Sequence, residues 1–126
     1  MEKPNNIVRI PCTLEDNFFE LWFVFLKPFH NLTNKEIKLI SELVKHRYHL
    51  SKVIKDPDIL DQVTLGEETR RKVRESCGLT PAHFHLLFSS LKKNKMIVDN
   101  KINPKFIPNI TTENGYFQLT LLFDMK

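Results

Sequence analysis

Glycine is scarce in this sequence, with three residues in 126, scattered at 66, 78 and 115. So sparse a set excludes a glycine-rich phosphate-binding loop, which needs several glycines close together. The two cysteines, Cys12 and Cys77, are isolated and have no metal-like or redox spacing. That excludes a zinc ribbon or a Cys-x-x-Cys centre and suits a reducing compartment. The longest apolar run, Leu21 to Leu26, is far short of the ~20 residues that span a bilayer. Met1 is followed by Glu2, Lys3, Pro4 and a pair of asparagines, unlike the apolar stretch of a secretory leader. Charge of one sign is also in short supply. A net charge of +4 permits contact with nucleic acid without requiring it. What remains is an ordinary globular composition, 41% hydrophobic and 27% charged, at a length that predicts a single domain over 1–126.

Catalytic and metal-binding constellations are missing too. His83 and His85 alternate in sequence, so a helix points them to different faces; His46 and His49 share a face but have no third ligand nearby. Asp56, Asp58 and Asp61 lack the glycine and closing glutamate of a calcium loop. Their expected role is to cap and solvate a loop. Cys77 stands directly before Gly78 and reads as a structural thiol. No catalytic residue, metal or cofactor is expected, and no enzyme activity.

Helix-start signals are plentiful. Thr13-Leu-Glu-Asp16, Thr33-Asn-Lys-Glu36 and Thr64-Leu-Gly-Glu67 each set a threonine three residues before a carboxylate. In such a box the hydroxyl accepts an orphan N–H and the carboxylate reaches back to the cap. Thr80-Pro81 marks another start, because proline at the first helical position has the right φ and loses no needed donor. The predicted helices run over about 14–27, 34–54, 67–76 and 81–95. Ile37, Ile40, Val44 and Tyr48, with Leu43 beside them, form the apolar stripe of the second. Asp56-Pro57-Asp58 reads as a turn after it, and Gly78 as the left-handed stop of the third. Phe84, Leu87, Phe88 and Leu91 give the fourth its apolar spacing.

After residue 95 the period changes from 3.6 to 2. Met96-Ile97-Val98, Asp99-Asn100 and Lys101-Ile102 read as a tight β-hairpin. Pro104 and Pro108 forbid a central strand between them. Asn114-Gly115 is another turn, and Phe117, Leu119, Leu121 and Phe123 alternate beyond it, predicting a strand within 111–126. Ile7 to Ile10 is a further strand candidate, paired with that one.

The order helix, loop, short helix ending at glycine, LTPAHFHLLFSSLKKNKMIV and hairpin resembles the winged helix-turn-helix family over 33–110, most closely over 67–102. Thr80, Pro81, Ala82, Phe84, Leu87, Phe88, Leu91, Lys92, Lys93, Met96 and Ile97 carry the resemblance. The expected class is therefore α+β: a winged-helix core over 33–110, preceded by an aromatic helix over 13–27 and followed by a strand over 111–126. In family members that read DNA, the second helix of the motif enters the major groove. The matching outward positions are His83, His85, Leu86, Ser89 and Ser90, and the helix contains no arginine. Arg70, Arg71, Lys72, Arg74, Lys92, Lys93, Lys95, Lys101 and Lys105 are the candidate phosphate contacts. On this alternative the chain binds double-stranded DNA in the cytoplasm, in transcription or replication.

The stretch LKKNKMIVDNKINPKFIPNI, residues 91–110, looks like small tailed-phage structural proteins. Some of those use winged-helix-like domains as adaptor rings in the neck. That likeness implies a non-enzymatic interaction module of the virion, in a neck ring or connector. Its partners would be copies of itself or other virion proteins such as portal or tail components, with no membrane involved. The arm around Ile107 and Ile110 suits such contacts. So does FFELWFVFLKPF, residues 18–29, which packs five phenylalanines and the only tryptophan into one short segment. On a helix Phe18, Trp22, Phe25 and Phe29 share one face, while Phe19 and Phe23 lie ~100° round from it. The first face is expected against the core. Phe18, Phe19, Trp22, Phe23 and Phe25 are the expected protein-contact residues of this segment, and Phe19 and Phe23 in particular are expected to touch another chain.

Overall fold

The structure is a computed structural model and describes residues 7–110 and 115–126. Its centre is a long helix whose start is fixed by the Thr33 box. The Thr33 hydroxyl accepts the Glu36 N–H at 3.3 Å, and the Glu36 carboxylate accepts the Thr33 N–H at 3.0 Å. The helix that follows, Asn34–Ser51, is here called α2. It buries Ile37, Ile40, Leu43 and Val44 as its stripe predicts, and also Leu39 on a different side. Burial is this wide because a preceding helix α1, Phe18–Phe25, and three later helices all pack on α2.

α1 is shorter than expected. The Thr13 hydroxyl accepts from Asp16 N–H at 3.0 Å, but residues 14–17 form a turn, closed by Thr13 N–H donating to the Asn17 side chain at 3.0 Å. Helix starts only at Phe18. Pro28 then sits in a single 3-10 turn, Lys27–Phe29.

The turn expected at Asp56-Pro57-Asp58 is instead the start of a helix, α3, Pro57–Thr64. Asp56 Oδ1 accepts from Asp58 N–H at 2.9 Å and Ile59 N–H at 3.2 Å, and Pro57 takes the first helical position. Asp56 is thus a cap rather than loop solvation. Consequently Thr64 lies inside a helix and donates to Leu60 O at 2.7 Å; it caps nothing. The next helix, α4, Glu67–Ser76, begins behind Gly66 with no side-chain cap. A Cβ on Gly66 would come within 3.2 Å of Val63 O, so the tight α3–α4 link favours a residue without one.

α4 ends as its glycine predicts. Gly78, at φ 66°, lets its own N–H reach Glu75 O at 3.1 Å and Leu79 N–H reach Arg74 O at 3.0 Å, the paired bonds of a Schellman stop. The last helix, α5, Pro81–Lys93, is capped by Thr80, whose hydroxyl accepts from His83 N–H at 3.2 Å. Two short strands follow, β1, Ile97–Val98, and β2, Lys101–Ile102, antiparallel with Ile97 opposite Ile102 and Val98 opposite Lys101. Asp99 and Asn100, at φ 55° and 61°, make the turn, with both central residues left-handed as a type I′ hairpin requires. A 3-10 turn at Pro104–Phe106 brings the chain back to the core.

In coarse terms the class is α+β, mostly helical with one small antiparallel sheet among the described residues. The expected terminal strands are not formed. Residues 7–10 and 115–126 carry no strand, and residues 111–114 lie outside the described residues. A strand needs a neighbour to bond to, and the two-residue strands of the hairpin offer no edge of matching length.

Candidate interaction surfaces

The aromatic helix is the first candidate, and the structure overturns the expectation for two of its residues while Phe18 and Trp22 pack on the core as their face predicts. Phe19 and Phe23, the pair assigned to another chain, are 3% and 0% exposed within their own chain. They lie one turn apart on the face of α1 that meets α2. The Ser41 hydroxyl of α2 approaches Phe19 O at 3.4 Å, and the Phe19 ring lies 5.8 Å from that of Tyr48. Phe18 is buried as well, edge-on to Phe19 at 5.2 Å and to Phe117 at 5.1 Å. These three are core residues, because α2 and the start of the C-terminal arm cover them. What α1 leaves outside is Val24 and Phe25, with Phe29 just beyond. Of the predicted contact residues on this helix, Phe25 alone is exposed.

Trp22 is half-buried and acts as a clasp. Its indole N–H donates to Phe106 O at 2.8 Å, and its ring meets Phe117 edge-on at 5.4 Å. Ile107 and Ile110 are half-buried against the core. Beside them an open groove of about 350 Å³ separates the end of α2 from residues 104–110, lined by Arg47, Tyr48, Ser51, Ile107, Pro108 and Ile110. The charge of Arg47 is already engaged by Asp61 at 3.1 Å.

His30 had no signal in the sequence. It is buried, accepts the Leu32 N–H on Nδ1 at 3.0 Å and lies 2.6 Å from Phe23 O through Nε2. Since Nδ1 is the acceptor, Nε2 carries the proton and donates to Phe23 O. One ring thereby ties the end of α1 to the start of α2.

The α4–α5 face holds the nucleic-acid candidates, and few of its cations are free. Arg71 pairs with Glu75 at 3.3 Å and Lys72 with Glu68 at 3.6 Å. Arg74 donates to Leu79 O at 3.5 Å. Arg70 and Lys92 lie over the ring of Phe88, at 5.9 and 5.2 Å from its centre. Along α5, His85 and Leu86 are exposed while His83 and Ser89 are half-buried. Ser90, expected to face outward, turns inward and donates to Glu36 at 2.5 Å. Lys93 and Lys95 are exposed and Lys101 is half-buried.

That inward turn exposes a feature the sequence shows only in part. The Glu36 carboxylate serves the Thr33 box and also accepts from Ser90 and, at 3.1 Å, from Asn94, joining the start of α2 to the end of α5. Burial alone would raise its pKa, but the bonds from Ser90, Thr33 and Asn94 together outweigh burial and hold it below 4.5. Burial lowers the pKa of His46, aided by His49, Lys72 and Lys45 against the opposing pull of Glu42. Burial, with Glu42 adding to it, pushes the Cys77 thiol up to about 11. Cys77 is therefore a neutral thiol near pH 7, poorly suited to nucleophilic attack.

Among the described residues no cluster of three His, Cys, Asp or Glu is placed to hold a metal ion. Nor is any helix among them long and apolar enough to cross a membrane. Comparison with protein-family models, curated proteins and solved structures finds no match to this chain.

The remaining surface of note is the C-terminal arm. It begins well held, with Phe117 half-buried between Phe18 and Trp22. Beyond that anchor, exposure at alternate residues climbs from 40% at Leu119 to 56% at Leu121, 84% at Phe123 and 86% at Met125. Leu122, between two of them, is exposed as well. At the opposite end of the chain Ile7, Val8 and Ile10 are likewise uncovered.

Proposed function

We propose that this chain is a non-enzymatic interaction module that works within a larger protein assembly. The observation that carries this reading is the C-terminal arm, whose apolar side chains lead away from a firm anchor and are left in water. A contiguous apolar patch of that kind is rare on a protein that acts alone and marks a surface covered by a partner. Phe25 and Phe29 on the outer side of α1 add a second uncovered apolar area. The helices α3, α4 and α5 packed on α2, with the hairpin against α3 and α5, supply the body on which these contacts would be mounted, in keeping with a winged-helix reading. The likeness of residues 91–110 to small tailed-phage structural proteins supports a virion role, as a neck-ring or connector component contacting its own copies or portal and tail proteins. Light scattering on the purified chain tests the reading. A mass that is a defined multiple of the monomer supports it; a monomer that also fails to bind portal and tail proteins refutes it.

A second reading keeps the same body as a DNA-binding winged helix. Lys93 and Lys95, exposed at the end of α5, favour it, with Lys92 beside them. The pairing of Arg71 and Lys72 with acidic neighbours and the exposed Leu86 on α5 weigh against it. Binding to random duplex at two salt concentrations decides: several neutralised phosphates give a steep salt slope, and negligible binding at both removes this reading.

A further inference from the structure

Two segments of this chain lie outside the described sheet, are apolar and exposed, and their side chains match each other. The first is residues 7–10, with Val8 83% exposed and Arg9 as its charge; Pro11 ends it, having no N–H to give a ladder. The second is the arm beyond Phe117, where Asp124 is the one charged residue between Gly115 and Met125. We infer that residues 7–10 of one copy pair as an antiparallel strand with residues 123–126 of a second copy, with Arg9 opposite Asp124.

The register follows from the side chains. With Arg9 opposite Asp124, Val8 falls opposite Met125 and Ile10 opposite Phe123, so exposed apolar residues meet on one face, while the other face carries the Arg9–Asp124 charge pair and sets Ile7 opposite Lys126. A slip by one residue sets Arg9 against Phe123 or Met125 and loses the charge pair, which is what fixes this register. Cross-strand apolar and opposite-charge pairs are the contacts that stabilise such a ladder. The pairing is between copies because the folded chain does not make it: among the described residues the hairpin is the only sheet, and both segments remain free of it.

An arm given to one neighbour and an amino-terminal segment offered to the other make a head-to-tail contact. Contacts of that type close into rings when the rotation per copy permits and form filaments otherwise. This inference rests on the assembly reading above and gives it a geometry.

Sedimentation velocity on the full chain tests it, using the wild type, Arg9→Glu, Asp124→Arg and the double variant at low salt. Both positions are exposed, so the fold tolerates the changes. The wild type is expected to assemble with concentration. Each single reversal sets like charges face to face and raises the concentration needed by about tenfold or more; the double variant recovers the wild-type midpoint. Four identical midpoints overturn the pairing while leaving the assembly reading in place, and direct attention to the groove beside Tyr48 as the seat of the arm. A double variant no better than the singles overturns it too. If all four proteins stay monomeric and none binds portal or tail proteins, the inference and the reading beneath it fall together.

Discussion

Glu36 offers the sharpest check on how this fold is held. Replacing it with alanine removes the return bond to Thr33 N–H and the acceptor shared by Ser90 and Asn94. The carboxylate is buried, so these are hydrogen bonds to a charged group shielded from water. Such bonds contribute roughly 1.5–3 kcal/mol each, and a buried donor left unpaired costs a similar amount. Ser90 is half-exposed and Asn94 exposed, so water rescues part of their loss. The removal also relieves the cost of burying a charge. The expected net destabilisation is about 2–4 kcal/mol, seen as a lower urea midpoint at unchanged slope. Glu36→Gln should cost less, because its amide oxygen still closes the box with Thr33. The pH dependence gives an independent reading. The folded-state pKa of Glu36 lies below its ordinary 4.5, so its stabilisation is full above that value and is lost as the pH falls through the lower, folded-state one. The alanine variant should therefore show a shallower acid limb below about pH 4.5. An alanine variant within ~0.5 kcal/mol of wild type, as for an ordinary surface change, with an unchanged acid limb would refute the linking role.

The other consequences concern the core, one turn and one thiol. Phe23→Ala opens a cavity at a fully buried site and should cost about 3–5 kcal/mol in denaturant titration. Phe25→Ala, at an exposed position of the same helix, should leave monomer stability within ~0.5 kcal/mol; equal costs for the two would mean that α1 is turned the wrong way. Gly78→Ala forces a β-carbon into φ 66° and should lower stability by roughly 1–2 kcal/mol, whereas an unchanged melting curve would argue against the left-handed stop. In a thiol-reagent time course at pH 7.5, exposed Cys12 should label quickly and Cys77, with its pKa near 11, very slowly. Equal rates would contradict the burial of Cys77.

Local chemistry explains what could be read in advance. Thr33 and Glu36, Thr80 and Pro81, Gly78, and Asp99-Asn100 each act within a few residues, and each does in the structure what its neighbours dictate. Asp56-Pro57 failed as a guide because aspartate before proline serves a turn and a helix start equally well; the choice was made by Leu60 finding burial in the core. Thr64 is no cap for the same reason, since it ends α3 and its hydroxyl donates to Leu60 O within that helix. The two faces of α1 are both aromatic, so periodicity showed that one must be covered but not which. That was decided at a distance, by α2 taking Phe19 and Phe23 and by Phe117 closing over Phe18. Ser90 and Asn94 meet Glu36 across 54 and 58 residues of chain, a contact that no local pattern announces. The terminal segments have the alternation of strands, yet among the described residues neither is paired into a sheet, so their pattern describes a capacity for pairing.

The central proposal is that the exposed arm holds copies of this chain together. The most direct measurement is the solution mass of the wild type beside a Leu122→Lys, Phe123→Lys double variant, both by light scattering across a concentration series. Both residues are largely exposed, at 89% and 84%, so the variant should fold and melt as the wild type does. The wild type should weigh a defined multiple of the monomer and the variant should weigh one monomer. Identical masses for the two proteins, whether both assembled or both monomeric, would contradict the account.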